Sequence, residues 1–404
     1  MTNNITASRG SAPSRTDSSG LPHSGTGPLS DAALDELAER LAVAAAIVGI
    51  GESTRASRET FGVRDQLFRR LVRRHGFRAL AVQDSAGVAA RLDGYVRGGE
   101  GSAGSALDDA WRPWRTAEMA AALEWIRAFN QEHPNDPVRI FGVKPTQAQS
   151  DDYGAVLDHV RASAPERLAE VASHLDPIRT AHHTDEHLQR AWGTHPGRPF
   201  ADHAHDALAL IRSLPDAVHD DGILARMRRI VDFHERSVAG RDNYAGDAPV
   251  WADALGDTQR RTGLRMVYWD GIAHTSAAET VLGPAPERGP QPSVGSLLRK
   301  RYGTRYVSVA IGFHHGDLGV AVVPEPAGDL IDARLGAADL PARWLDLRHE
   351  AVRRQWDGPA KARVISGVYD PSRDDLAHLT VASLADAFDV LIHIRRVSPV
   401  RWLP

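Results

Sequence analysis

The 404-residue chain has no cysteine. Disulfides, thiolate metal sites and cysteine nucleophiles are therefore excluded. No apolar run reaches the ~18 residues that suggest a membrane span. Neither sign of charge predominates: 48 Lys and Arg stand against 52 Asp and Glu, a formal net charge of −4. The strongly basic face that nucleic acid or an anionic membrane calls for is not indicated. Walker and Gly-x-Gly-x-x-Gly loops are missing, and no Gly-x-Ser-x-Gly elbow stands after a strand. The first 28 residues are rich in Ser, Gly, Thr and Pro and lack the apolar core of a secretory signal. They read as a disordered tail, with the cytoplasm as the expected compartment.

What the chain does have is a strand–helix alternation with 42% hydrophobic residues, enough for a sizeable core. Ser30-Asp31 caps a helix that runs to about Val43, with Leu34, Leu37 and Leu41 at helical spacing. A short apolar run, Ile47–Ile50, ends in Gly51-Glu52-Ser53-Thr54-Arg55. A helix from near Ser57 to Gly76 follows, then the apolar run 78–82 ending at Gln83-Asp84. A helix spans about Ala117–Asn130, and the third strand, 137–143, ends at Lys144. From Ser150 to about Arg241 no strand pattern occurs, so 150–245 reads as a helical insert or lid. Strands resume at 264–269, 305–311, 319–323, 343–347, 362–365 and 388–394, with 314–317 as a turn. The expected fold is α/β, a mostly parallel central sheet flanked by helices, in one domain from residue 29 to 404.

In such a sheet the C-terminal strand ends carry the site. The polar residues there are Glu52, Ser53, Thr54, Arg55, Gln83, Asp84, Lys144, Asp270, His274, His314 and His315. Carboxylates and imidazoles on one rim suit general acid–base work on a small molecule. Each has a plainer reading too: Glu52 could accept helix N–H groups, Gln83 could be a buried amide, and His314 and His315 could be turn residues. His182, His183 and His187, like His203 and His205, read as solvated helix faces, because no third ligand is identifiable. No metal and no cofactor are expected.

The order of motifs resembles the erythromycin esterase family. The stretches that carry the resemblance include Gly49–Thr54 with Arg58-Glu59 and Arg64, His75-Gly76-Phe77, Tyr95–Gly98 and Thr116-Ala117-Glu118 with Trp125-Ile126-Arg127. Phe141-Gly142-Val143, Arg241–Tyr244, Val267–Trp269 with Ala273-His274, Arg301–Val309, Gly367–Asp370 and Asp386–Asp389 continue it. The family implies hydrolysis of a macrolide lactone by water that a histidine activates, without an acyl-enzyme. Its first motif reads Gly-Glu-x-Ser/Thr-His. Glu52 matches the glutamate, and Arg55 stands in the place of the histidine. Gln83 replaces a glutamate and Lys144 an aspartate. A later Trp-Ala-His-Asn-x-His becomes Trp269-Asp270-Gly271-Ile272-Ala273-His274.

The resemblance thus implies an ester or lactone hydrolase in which Glu52 and His274 supply acid–base chemistry, with Asp270 beside them. Arg55 cannot be the base, because guanidinium does not deprotonate in proteins. It would hold an oxyanion or a substrate carboxylate. Two other readings stay open: a non-hydrolytic cyclase, dehydratase or lyase acting on an anionic substrate, motivated by Arg55 and Lys144, and an inactive small-molecule-binding relative.

Overall fold

The structure, a computed structural model, describes residues 25–144, 148–179, 190, 196–215, 220–238, 244–283, 289–365 and 369–404. In chain order the strands are β1 (Thr26–Pro28), β2 (Ile47–Glu52), β3 (Phe77–Ser85), β4 (Arg139–Lys144), β5 (Arg265–Gly271) and β6 (Val281–Leu282). They continue with β7 (Tyr306–Asp317), β8 (Val322–Val323), β9 (Ala342–Asp346), β10 (Ala360–Arg363), β11 (His378–Val381) and β12 (Val390–Val397). The main sheet has the order β1-β9-β12-β7-β2-β5-β3-β4, with β8 added to β7. From β12 to β4 every pair is parallel, and β1, β8 and β9 add antiparallel edges. A small second sheet, β10-β11-β6, is antiparallel. This is the expected mixed α/β architecture with helices around a central sheet.

β2 lies at the centre, fully buried, between β5 and β7. From β2 the chain goes to β3 and β4 on one side, returns to β5 next to β2, and later crosses to β7 and β12 on the other. Loops part at such a switch point and leave a crevice at the C-terminal strand ends. Register sets Gly51 opposite Asp270, Glu52 opposite Gly271, Val82 opposite Trp269, and Ser85 opposite Lys144. Four strands therefore deliver their last polar residues at one level. The sequence prepares this: Ser57 caps the helix Arg58–His75 by accepting from Thr60 N, and Gly76 ends it at φ 68°. A Cβ on Gly51 would stand 2.1 Å from Thr275 Oγ1 and 2.7 Å from Ile272 Cα. Only glycine lets the short helix Ile272–Thr275, which carries His274, pack on β2.

Three sequence expectations change. The tail expected to end at residue 28 gives way to an edge strand at Thr26, antiparallel to β9, with Asp346 N donating to Gly25 O. Proline and glycine disguise it, though an edge strand tolerates both; residues 1–24 lie outside the described residues. The turn expected at 314–317 is strand: β7 runs unbroken to Asp317, because β12 pairs Arg396 with His315 and Val397 with Gly316. The strand expected over 319–323 shrinks to Val322–Val323.

Between β4 and β5 the described residues carry helices and no strand. The helices Ser150–Ser163, Leu168–Leu175, Phe200–Arg212 and Asp221–Val238 enclose a core of their own around Tyr153, Val156, Val171, Leu175, Phe200 and Met227. It is separate from the cluster between the sheet and the helices Asp31–Ala42 and Arg58–His75.

Candidate active site

Glu52 closes β2 with its side chain turned to the helix Arg58–His75. Arg64 Nη1 donates to its Oε1 at 2.6 Å, and Thr60 Oγ1 donates to its Oε2 at 3.2 Å. Both members of the ion pair are buried. The Arg64 guanidinium sits 4.7, 5.0 and 4.5 Å from the rings of Phe61, Trp114 and Trp269. Burial raises the Glu52 pKa and lowers that of Arg64, while each charge opposes the shift of the other. Ser53 and Thr54 build the turn that follows. Ser53 N donates to Ile311 O and Ser53 O accepts from Ile365 N, and Thr54 Oγ1 accepts from Ala56 N at 3.3 Å.

Arg55 turns the other way. Its Nη2 donates to Asp270 Oδ1 and to Gln83 Oε1, and its guanidinium lies 4.8 Å from the Trp111 ring. Asp270 is wholly buried; it also accepts from Tyr268 Oη and, at 2.7 Å, from Gly271 N. Burial beside that carboxylate drives the Tyr268 pKa well above its usual value, so the phenol stays a donor. A Cβ on Gly271 would stand 3.3 Å from Arg55 Nη1. The two places where the resemblance implies histidines, 55 and 271, thus lie against each other here.

Asp84 accepts from Ser85 N and from Trp111 N, at 2.7 and 2.8 Å, and so fixes the loop that carries Trp111. Burial pushes its pKa up to about 6, against the pull of Lys144 and of those N–H groups. Lys144 Nζ lies 4.6 Å from the Trp111 ring and 5.4 Å from that of Trp251. Burial lowers its pKa, opposed by Asp84 and Asp270. The His274 imidazole packs 5.0 Å from Trp251 at an interplanar angle of 36°. Burial lowers its pKa; Asp270 opposes this, while Arg55 and Lys144 add to it. His274 is therefore a neutral imidazole at pH 7, able to take a proton.

The structure thus brings Arg55, Gln83, Asp84, Lys144, Asp270 and His274 together, with Glu52 behind them. His314 and His315 are not drawn in. Ile311 pairs with Glu52, so His314 lies three residues, about 10 Å, farther along β7. Its contacts are with His315, His393 and Arg363, and burial, aided by Arg395, lowers its pKa to about 4. Of the other histidines, His203 packs against His174 and His205 bonds Glu235, while His182, His183 and His187 lie outside the described residues. The sequence reading passed over Trp111 and Trp251, and it held Arg64 and Tyr268 only as motif residues, without a place in the site. Arg64 was legible as a charge on the apolar face of its helix, between Phe61 and Leu67; Trp111, in a loop, gave no signal.

Comparison with known proteins bears on the fold and the family. The family model described as erythromycin esterase matches residues 72–397. A solved protein from Bacillus cereus superposes with a TM-score of 0.63 at 19% identity, over 94% of this chain and 97% of its own. A structure titled succinoglycan biosynthesis protein gives 0.63 at 20%, over 94% and 96%. A mutant of the erythromycin esterase EreC, in its open conformation, gives 0.53 at 15%, over 90% and 94%. At these identities the structures establish the shared fold. The match of the family model over most of its length shows that the chain belongs to the erythromycin esterase family.

Proposed function

We propose that the protein hydrolyses an ester or lactone of a small molecule, with His274 as the general base that activates water. The observation that carries this reading is the state of the acid–base groups at the rim. Glu52 is engaged by Arg64 and Thr60, and Asp270 by Arg55, Tyr268 and its neighbouring N–H. His274 is partly exposed and neutral, which is the form a base needs. Water attack on the carbonyl carbon transfers a proton to the imidazole. Arg55 and Lys144 offer positive charge to the developing oxyanion. The imidazolium then returns its proton to the departing alkoxide, so acid and base are the same group. Trp111 and Trp251 form apolar walls for the substrate.

The non-hydrolytic reading on an anionic substrate is not favoured. Its motive was an excess of positive charge, and Asp270 beside Arg55 and Asp84 near Lys144 offset that excess.

The test is a panel of aryl esters, simple lactones and macrolide lactones with purified protein. His274→Ala lowers kcat about 100- to 10,000-fold, and Lys144→Met lowers it about 100- to 1,000-fold. The rate needs unprotonated His274, so it rises with pH through an acid limb whose pKa lies below 6.5, then levels. Equal turnover by parent and His274→Ala overturns the assignment.

A further inference from the structure

We propose that His314 and His315 of β7, with Glu325 of the loop after β8, form a binding site for a divalent transition-metal cation of the zinc type, separate from the His274 cluster. Consecutive residues of a regular strand point to opposite faces. Here the two rings nevertheless meet, nearly perpendicular at 80°, with Nδ1 2.9 Å from Nδ1. β2 stops opposite Ile311, so beyond it β7 has no strand on that side, and the glycine that follows His315, Gly316, takes φ 150°. Two Nδ1 atoms at that spacing can share a proton, or both can bind one ion. With metal–nitrogen bonds of about 2.05 Å, a 2.9 Å bite gives an N–metal–N angle of about 90°, within reach of imidazole coordination.

A ligand atom of Glu325 falls within 4.8 Å of those of both histidines. Glu325 stands between Pro324 and Pro326, whose fixed φ angles restrain its loop. It brings the negative charge that two neutral imidazoles lack, and its exposure leaves a coordination position open to water. His314 is preset for the role. Its carbonyl accepts from Arg363, and its ring lies against Gly336, where a Cβ would stand 2.0 Å from Cδ2. Arg395 counts against a cation, but its guanidinium is directed to Gly336 O, and Glu325 offsets its charge. The absence of metal expected from sequence rested on the lack of a compact ligand set; nine residues lie between His315 and Glu325, and the hairpin of β7 and β8 joins them.

The experiment titrates EDTA-stripped, full-length protein with Zn²⁺ by calorimetry and with Co²⁺ by visible absorption. The parent binds one ion more than His315→Ala. Its affinity at that site falls in His315→Ala and in Glu325→Gln by more than the roughly 10- to 100-fold that loss of an outer-shell partner gives. Zn²⁺ raises the Tm of the parent and of neither variant. Both substituted residues have exposed surface, and circular dichroism checks that the variants fold. No bound ion in the parent, or the same stoichiometry and affinity in all three proteins, overturns the proposal.

Discussion

Arg55 and Gly271 make their meaning together. Read along the chain, each is a separate departure from the family motif; in space the guanidinium of one lies 3.3 Å from where a Cβ on the other would stand. Gly271→His alone drives a side chain into Arg55. Arg55→His alone leaves Asp270 buried without its cation. In the double variant the new imidazole at 271 occupies the space the guanidinium leaves. Denaturant unfolding should therefore show the double variant less destabilised than the sum of the singles, by at least about 1 kcal/mol. Additivity to within about 0.5 kcal/mol would mean that the two positions are not coupled. The sequence could place both residues at strand ends, because the apolar runs before them are plain. It could not show that Asp270 faces Arg55, since that follows from the register Gly51 to Asp270 across β2 and β5. The anionic-substrate reading took Arg55 and Lys144 without the carboxylates beside them, Asp270 and Asp84.

At the scale of elements, the Glu52–Arg64 pair ties β2 to the helix Arg58–His75. Both groups are nearly free of solvent, so the pair acts as a brace whose halves depend on each other. Glu52→Gln keeps the size of the side chain and removes the charge, which leaves Arg64 buried without its carboxylate. The loss should be about 3 to 5 kcal/mol of folding stability, read from denaturant midpoints. Turnover per folded molecule should change less than tenfold, because the carboxylate faces Thr60 and Arg64; a kcat as low as that of His274→Ala would instead put Glu52 in the chemistry. Long periodic elements were legible: the helix Arg58–His75 and strands β2, β3, β4, β5 and β12 stand within a few residues of where the pattern puts them. The short ones were not. β1 is three residues with a proline, and β6 and β8 are two residues each. Such strands exist only because a neighbour offers free backbone groups, and that is a property of the partner.

Over the whole molecule, the described residues of the insert pack separately from those of the sheet. The sheet's clusters run from Ala33 to Val397, while the insert's cluster draws its residues from 148–231 alone. A core built from sequence-local contacts can open without the rest. At the start of the insert, Ser150 Oγ donates to Asp109 Oδ1 of the main body at 3.2 Å. The chain has nine tryptophans, and eight lie outside 148–238, Trp192 being the exception. Tryptophan fluorescence therefore follows the main domain, and far-ultraviolet circular dichroism follows the helices of both. In a urea titration the dichroism signal should begin to fall at lower denaturant than the fluorescence, in two steps. Superimposable curves would make the insert part of one cooperative unit with the sheet. Separate melting would matter for the reaction. β4 and its Lys144 lead into the insert, and the helix Tyr244–Thr262, which carries Trp251 beside His274, leads out of it. An insert that opens on its own would move both walls of the crevice without disturbing the strand ends that hold Arg55 and Asp270.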